Sequence, residues 1–268
     1  MSFKMRLLPS ILRLLPPGAA DHRAANLVYR RWFATSMRQA TVTLDTGPRL
    51  TLDLSDWPQA CAFLLRRYDV ASVEFVVGNL RSTGVFVDAG AHVGLITLQV
   101  AMRRPRAEIH SFEPHPVRGK ALLTNVGLNP QVSIEIERVG LSDQPGELPF
   151  DVTAHRAGVG DDSISVVALD DYARERGIEQ IDVLKLDIEG HEGRALQGSR
   201  RLLAERRIGA VIVESLPGHG DVNAVADYLK EHGFRAVDLP DPRPRWIRAL
   251  RSWQPADTGY LLGPPPGA

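Results

Sequence analysis

The chain predicts an α/β fold, a mostly parallel seven-stranded sheet with helices on both faces. Three observations carry this. From Gly84 onward, short apolar runs alternate with amphipathic segments, the pattern of repeated β–α units on a parallel sheet. The stretch Val85-Phe-Val-Asp-Ala-Gly-Ala-His-Val-Gly94 passes from a β-branched and aromatic run through a glycine turn straight into an apolar periodic segment. It reads as strand, tight turn and helix. Acids close successive apolar runs at Asp88, Glu113, Asp187 and Glu214, and ligands of such sheets sit beyond the carboxyl ends of the strands.

Taken in order, the first 40 residues read as one or two helices broken at Pro16-Pro17-Gly18. Alternation on both sides of Asp45-Thr-Gly47 makes 41–54 a hairpin. Helices follow at 58–68 and 70–80. Strands are predicted at 85–88, 108–112, 132–136, 182–187, 210–214, 234–238 and 258–262. Helices are predicted at 94–103, 116–127, 170–176, 192–206 and 222–232. Residues 1–80 are expected to form a cap of helices and hairpin, 81–263 the ligand-binding sheet domain, and 264–268 a disordered Pro/Gly tail.

With 268 residues, 44% apolar and 24% charged, the chain suits one large globular domain with an appendage. Its 32 Lys and Arg balance 32 Asp and Glu, so no global field recruits nucleic acid and none is expected as a partner. Cys61 is the only cysteine, which excludes an internal disulfide and a multi-cysteine metal site, and fits a cytoplasmic location. No apolar run reaches the ~18 residues that span a bilayer. Residues 1–40 carry seven Lys and Arg against the one acid Asp21. Such an arm suits a membrane surface or an acidic carrier protein. The favoured reading is a helix that packs its leucines on the domain, or on a second copy in a homodimer. Segment 240–253, with four arginines and two tryptophans, reads as a solvated loop, with phosphate or aromatic-acceptor binding as the alternative.

Gly90 and Gly94 let backbone amides approach a ligand, and the helix that starts there favours an anionic group. Glu113, one strand further on and expected at a solvent-accessible strand end, suits a ribose diol. A dinucleotide turn would read G-x-G-x-x-G. Here it is Asp88-x-Gly90-x-x-x-Gly94, with His92 in place of a middle glycine. An acid before the turn repels a pyrophosphate and suits a neutral or cationic ligand. S-adenosylmethionine, with its sulfonium, ammonium, carboxylate and ribose, fits that pattern. The alternatives are a nicotinamide or nucleotide-sugar oxidoreductase, and a non-catalytic binding protein that retains the fold.

A third strand ends in Leu184-Lys-Leu-Asp187-Ile-Glu189-Gly190-His191-Glu192. With VFVDAGAHVG and Ser111-Phe-Glu-Pro114, this string resembles the FkbM family of S-adenosylmethionine-dependent methyltransferases. Gly140-Leu-Ser142-Asp143, Gly146-Glu-Leu-Pro-Phe150 and Ser165-Val-Val-Ala-Leu-Asp170-Asp171-Tyr172 are similar to the family too. Members commonly carry Asn where this chain has His92, and Tyr-Glu where it has Tyr68-Asp69. The resemblance implies a class I methyltransferase fold, Rossmann-like, with an antiparallel pairing of the last two strands and a cap that contributes to the acceptor pocket. It implies O-methylation of a small-molecule acceptor, a natural-product scaffold or a sugar. The implied cofactor residues are Tyr68, Asp88, Gly90, His92, Gly94, Glu113, Pro114, Asn125, Ser142 and Asp143, the last facing the adenine and Asn125 approaching it. Asp187 is expected beside the methyl group, to orient the acceptor, take its proton or hold a divalent ion. His191 is the second candidate base, with a turn cap as its alternative. Asp187, Glu189, Glu192 and Glu214 could supply oxygen ligands to Mg²⁺, and the residue types leave the metal open.

Overall fold

The computed structural model describes residues 19–32, 39–151, 156–158, 160–214, 222–240 and 257–264. The arm before Ala19, the Arg/Trp segment from 241 to 253, the tail from 265 and the Glu214 side chain lie outside the described residues.

Helix α1 (Ala19–Trp32) precedes a hairpin of β1 (Gln39–Thr43) and β2 (Arg49–Asp53). Two apolar helices follow, α2 (Trp57–Leu65) and α3 (Val70–Asn79). Asp56 caps α2 by accepting from Gln59 N–H, and Asp69 caps α3 by accepting from Ser72 N–H. The alternating region then runs β3 (Val85–Ala89), α4 (Leu95–Arg103), β4 (Glu108–Phe112), α5 (Pro116–Gly127) and β5 (Glu135–Glu137). An excursion of four strands intervenes: β6 (Gly140–Leu141), β7 (Gly146–Asp151), β8 (Arg156–Ala157) and β9 (Asp162–Val167). Alternation resumes with α6 (Leu169–Arg176), β10 (Ile181–Leu186), α7 (Glu192–Gln197), α8 (Arg200–Ala204) and β11 (Ile208–Glu214). The chain ends in α9 (Val222–Glu231), β12 (Phe234–Val237) and β13 (Asp257–Leu262).

The main sheet has the order β12-β13-β11-β10-β3-β4-β5, and β13 runs antiparallel to both of its neighbours. This is the expected seven-stranded, mostly parallel sheet. Its central strands are apolar on both faces because helices cover both, and all six residues of β10 are buried. One face packs on α6, α7, α8 and α9 around Leu184, Leu186, Leu196 and Leu229. The other packs on α3 and α4 around Phe75, Val76, Phe86 and Ile109. A separate cluster joins the cap to the sheet domain, with Leu50, Leu52 and Leu64 against Val93, Leu95 and Leu98. Ala25 and Val28 of α1 belong to it, so this helix packs on the domain while Leu27 stays 74% exposed.

Two expectations need correction. The predicted helix 192–206 is two short helices with Gly198 between them. A Cβ at Gly198 would lie 2.0 Å from the Ser142 carbonyl oxygen, so the two backbones touch there. Residues 140–167, which carried no predicted strand, form their own sheet in the order β6-β9-β7-β8. Two of its strands are only two residues long and β7 contains a proline, so no run of apolar alternation marks them. Asp170 accepts from Arg201 N–H and Leu202 N–H, and this capping of α8 explains one acid of the Asp170-Asp171 pair.

Candidate active site

Register places the site. Asp88 of β3 lies opposite Lys185 of β10 and Ser111 of β4, so β3, β4 and β10 end level with one another. Glu113 and Asp187 follow those ends directly and meet the glycine turn. Gly90 has φ +81°, and a Cβ there would sit 1.9 Å from the Asp187 carbonyl oxygen. Only glycine allows that turn to pass under the end of β10. His92 also lies in the left-handed region, at φ +56°, a conformation in which Asn, Asp and His are enriched.

Two cavities meet above these strand ends. The first, about 560 Å³ including its open mouth, runs under the small sheet. Phe112, Leu141, Phe150, Ile164 and Val166 give it apolar walls. The second, about 870 Å³ measured likewise, is the more polar of the two and carries Tyr68, Asp88, His92, Lys185 and Asp187. Both are bordered by Gly90, Glu113, Arg118, Asp187 and Glu189, so they form one cleft with an apolar and a polar half.

Glu113 stands at the junction. It is 5% exposed rather than solvent-accessible, which corrects the expectation for it. His92 N–H donates to its Oε2 at 2.8 Å and His115 N–H to its Oε1 at 2.9 Å. The carboxylate thus ties the glycine turn to the start of α5 and keeps lone pairs for a ligand. Burial pushes the Glu113 carboxyl above the usual range, against those two hydrogen bonds and the His92 and Arg118 charges.

The floor of the polar half is a charged triad. Lys185, buried in an otherwise apolar strand, places Nζ 3.1 Å from Asp187 Oδ2, to which it donates, and 3.2 Å from Asp88 Oδ1. The Asp88 contact lacks hydrogen-bond direction. Thr97 Oγ1–H donates to Asp88 Oδ2 at 2.5 Å. Two carboxylates thus share the one ammonium.

At the apolar end, His191 Nε2 and Ser142 Oγ lie 3.0 Å apart, and Ser142 Oγ–H donates to Asp143 Oδ1 at 2.8 Å. With its proton given to Asp143, Ser142 accepts from His191 Nε2–H. Burial, and then the Arg194 charge, push the His191 imidazole below its usual range despite Asp143, so it is neutral near pH 7. The hydrogen bond from the Ser142 hydroxyl holds the Asp143 carboxyl below its usual range.

Of the residues the sequence nominates, the cleft brings together Tyr68, Asp88, Gly90, His92, Glu113, Pro114, Asp187 and His191. Ser142 and Asp143 adjoin it through His191. Gly94 shapes the turn instead: it has φ +89° and its N–H donates to the Ala91 carbonyl. Asn125 is not at the cleft. It is fully buried, its Oδ1 accepts from Thr51 N–H and its Nδ2 donates to the Val93 carbonyl, so it pins the hairpin to the glycine turn. Of the acids nominated for Mg²⁺, Glu192 turns away from the others. Glu192 Oε1 turns to the backbone N–H groups of Ile188 and Gly190, and no three His, Cys, Asp or Glu among the described residues converge on a metal position. Sequence reasoning missed Lys185 and Arg118. A lysine inside an apolar strand was a usable signal, whereas Arg118 has none.

The model of the family described as Methyltransferase FkbM domain matches residues 88–236, more than half of the chain. The chain belongs to the FkbM methyltransferase family. It is an enzyme, a methyltransferase, and family members use S-adenosylmethionine. It is 28% identical over 210 residues to methyltransferase sdnD of Sordaria araneosa, covering 63% of this chain and 80% of that one. It is 29% identical over 203 residues to the 31-O-demethyl-FK506 methyltransferase FkbM of Streptomyces tacrolimicus, covering 61% and 77%. Among solved structures it resembles methyltransferase FkbM from Methylobacillus flagellatus, with a TM-score of 0.52 at 18% identity. That match covers 89% of this chain, which spans 59% of the length of the solved one. No helix among the described residues is long and apolar enough to cross a membrane.

Proposed function

We propose that this methyltransferase transfers the methyl group of S-adenosylmethionine to a hydroxyl of a small-molecule acceptor, on a natural-product scaffold or a sugar. The observation that carries the reading is the buried Glu113 carboxylate at the junction of an apolar and a polar half-cleft. S-adenosylmethionine has that division: a flat adenine, a ribose diol, and a charged methionine end. The donor, when bound, supplies a methyl carbon already activated by its sulfonium.

The walls formed by Phe150, Ile164 and Val166 hold the adenine by dispersion and burial. Ser142 and Asp143 border its edge, where a carboxylate accepts from the exocyclic amine. Glu113 accepts from the ribose hydroxyls. The Asp88 and Asp187 carboxylates, sharing Lys185, face the cationic end. Asp187, bordering both halves, is the residue placed to orient the acceptor hydroxyl toward the methyl group. Positioning of this kind is worth about 7–11 kcal/mol of the barrier. His191 lines only the apolar half and gives its Nε2 proton to Ser142, so its role is at the adenine end. The name of the relative acting on 31-O-demethyl-FK506 supports an oxygen acceptor.

The test incubates the chain with methyl-labelled S-adenosylmethionine and a panel of hydroxyl acceptors: methyl glucoside, glucuronic acid and a macrolide aglycone. Mass spectrometry is expected to show a labelled O-methyl product with one of them. Binding of NADH by titration, with no heat from S-adenosylhomocysteine, would overturn the reading.

A further inference from the structure

Methyl transfer to a hydroxyl releases a proton, and the polar half of the cleft must receive it. Asp187 Oδ2 is engaged by the Lys185 ammonium, and His191 belongs to the apolar half. His92 lines the polar half, with its side chain 18% exposed. Its Nε2 lies 3.6 Å from Asp56 Oδ2, while Asp56 Oδ1 accepts from Gln59 N–H at the start of α2. The acid is therefore anchored at one oxygen and turned toward the imidazole with the other. His92 Nδ1 has no hydrogen-bond partner among the described residues. Burial works to raise the Asp56 carboxyl, yet the His92 pair and the Gln59 N–H outweigh it and hold it below the usual range.

Resting on the methyl-transfer reading above, we propose that His92, backed by Asp56, is the catalytic base that takes the proton of the acceptor hydroxyl. A lone pair of the hydroxyl oxygen forms the bond to the methyl carbon. The carbon–sulfur bond breaks, and its electrons return to sulfur, which leaves as a neutral thioether. The O–H proton passes to His92 Nδ1, and the imidazolium has the Asp56 carboxylate as its counter-ion until water takes the proton. Imidazole suits the task because its ordinary titration falls between pH 5 and 8. The acids around the ring are Asp56 at the cap of α2, Glu113 after β4, and Asp187 and Glu189 after β10. Arg118 on α5 and Lys185 on β10, paired with Asp88 and Asp187, are the cations on that side, and the Tyr68 phenol lines the same half. An asparagine in place of His92 would keep the left-handed backbone and lack the base.

Two measurements test this. In the full chain labelled with ¹⁵N-histidine, with and without S-adenosylhomocysteine, ring-nitrogen shifts report the tautomer, assigned by the signal lost in His92→Asn. Neutral His92 is expected to carry its proton on Nε2, facing Asp56, and Asp56→Asn to lose that preference. A proton on Nδ1 overturns the proposal. On the acceptor found in the panel, His92→Asn is expected to lower kcat at least ~10²-fold and to leave the S-adenosylhomocysteine Kd within about twofold. It should also abolish the acid limb of the kcat profile. Asp56→Asn keeps the α2 cap, since Asn caps as well as Asp, and should show the same loss in weaker form. A His92→Asn enzyme with wild-type kcat, or with a defect confined to cofactor affinity, overturns the proposal. A wild-type chain that methylates nothing in the panel sinks the methyl-transfer reading, and the tautomer then judges the dyad on its own.

Discussion

The two oxygens that Glu113 gives to the fold are the ones proposed to hold the ribose. Glu113→Ala is expected to weaken S-adenosylhomocysteine binding by about 1.5–3 kcal/mol, the loss of charged hydrogen bonds, which is roughly 10- to 150-fold. It also strands His92 N–H and His115 N–H, and an unsatisfied buried donor costs about 1–3 kcal/mol. Calorimetric titration and thermal melting should therefore both change. Affinity within twofold of wild type would refute the ribose assignment, and an unchanged Tm would refute the bridging role. Asp187→Asn separates position from charge. Asn keeps the size and one acceptor oxygen, so the cofactor Kd should move little. Lys185 then loses the Asp187 carboxylate as a counter-ion, and a methyl-transfer rate lowered by about 10²-fold is expected from the lost charge at the acceptor. Normal turnover would make Asp187 structural.

The loop between β10 and α7 carries a pH dependence of its own. Burial, aided by the Asp187 charge, raises the Glu192 carboxyl, against the backbone N–H groups that it accepts. A carboxyl raised in the folded state stabilises below its unfolded pKa, and that stability is lost as pH rises through the folded value. Glu192→Gln keeps an acceptor for Ile188 N–H and Gly190 N–H without the ionisation. Its Tm relative to wild type should therefore climb from pH 4 to pH 8, and a flat or falling difference would contradict the burial argument. Elements of this kind also mark what the sequence makes legible. β3, β10 and β11 are visible because burial on both faces demands unbroken apolar runs, and parallel strands ending level make Asp88, Glu113 and Asp187 readable as one site. The 140–167 sheet is not visible, because β6 pairs with β9 across a long excursion and strands of two residues have no period. The break at Gly198 answers to the Ser142 carbonyl, a contact between distant segments. Asn125 looks like a ligand residue until the docking of the hairpin supplies its partners.

At the scale of the whole molecule, the cleft lies where separately built parts meet. The glycine turn and the cap border the polar half, the small sheet roofs the apolar half, and the ends of β4 and β10 join them. A ligand lying along the cleft touches all of these at once, and an unfolded chain offers no such surface. S-adenosylhomocysteine should thus bind the native state alone and stabilise it by mass action, by about 2.7 kcal/mol at a hundredfold excess over Kd. For a domain of this size each kcal/mol moves Tm by about 2–4 °C, so a rise of roughly 5–11 °C is expected. NADH at the same concentration should give no rise. Its pyrophosphate would face Asp88 and a turn in which the His92 side chain occupies the place of a glycine. Phe150→Ala opens the apolar half without touching the Asp88–Lys185–Asp187 floor. It should shrink the rise with S-adenosylhomocysteine by weakening the adenine contact while leaving the selectivity against NADH intact. Equal shifts with both ligands would mean that the cleft reads only the adenosine they share, and the assignment of the polar half to the methionine end would fall.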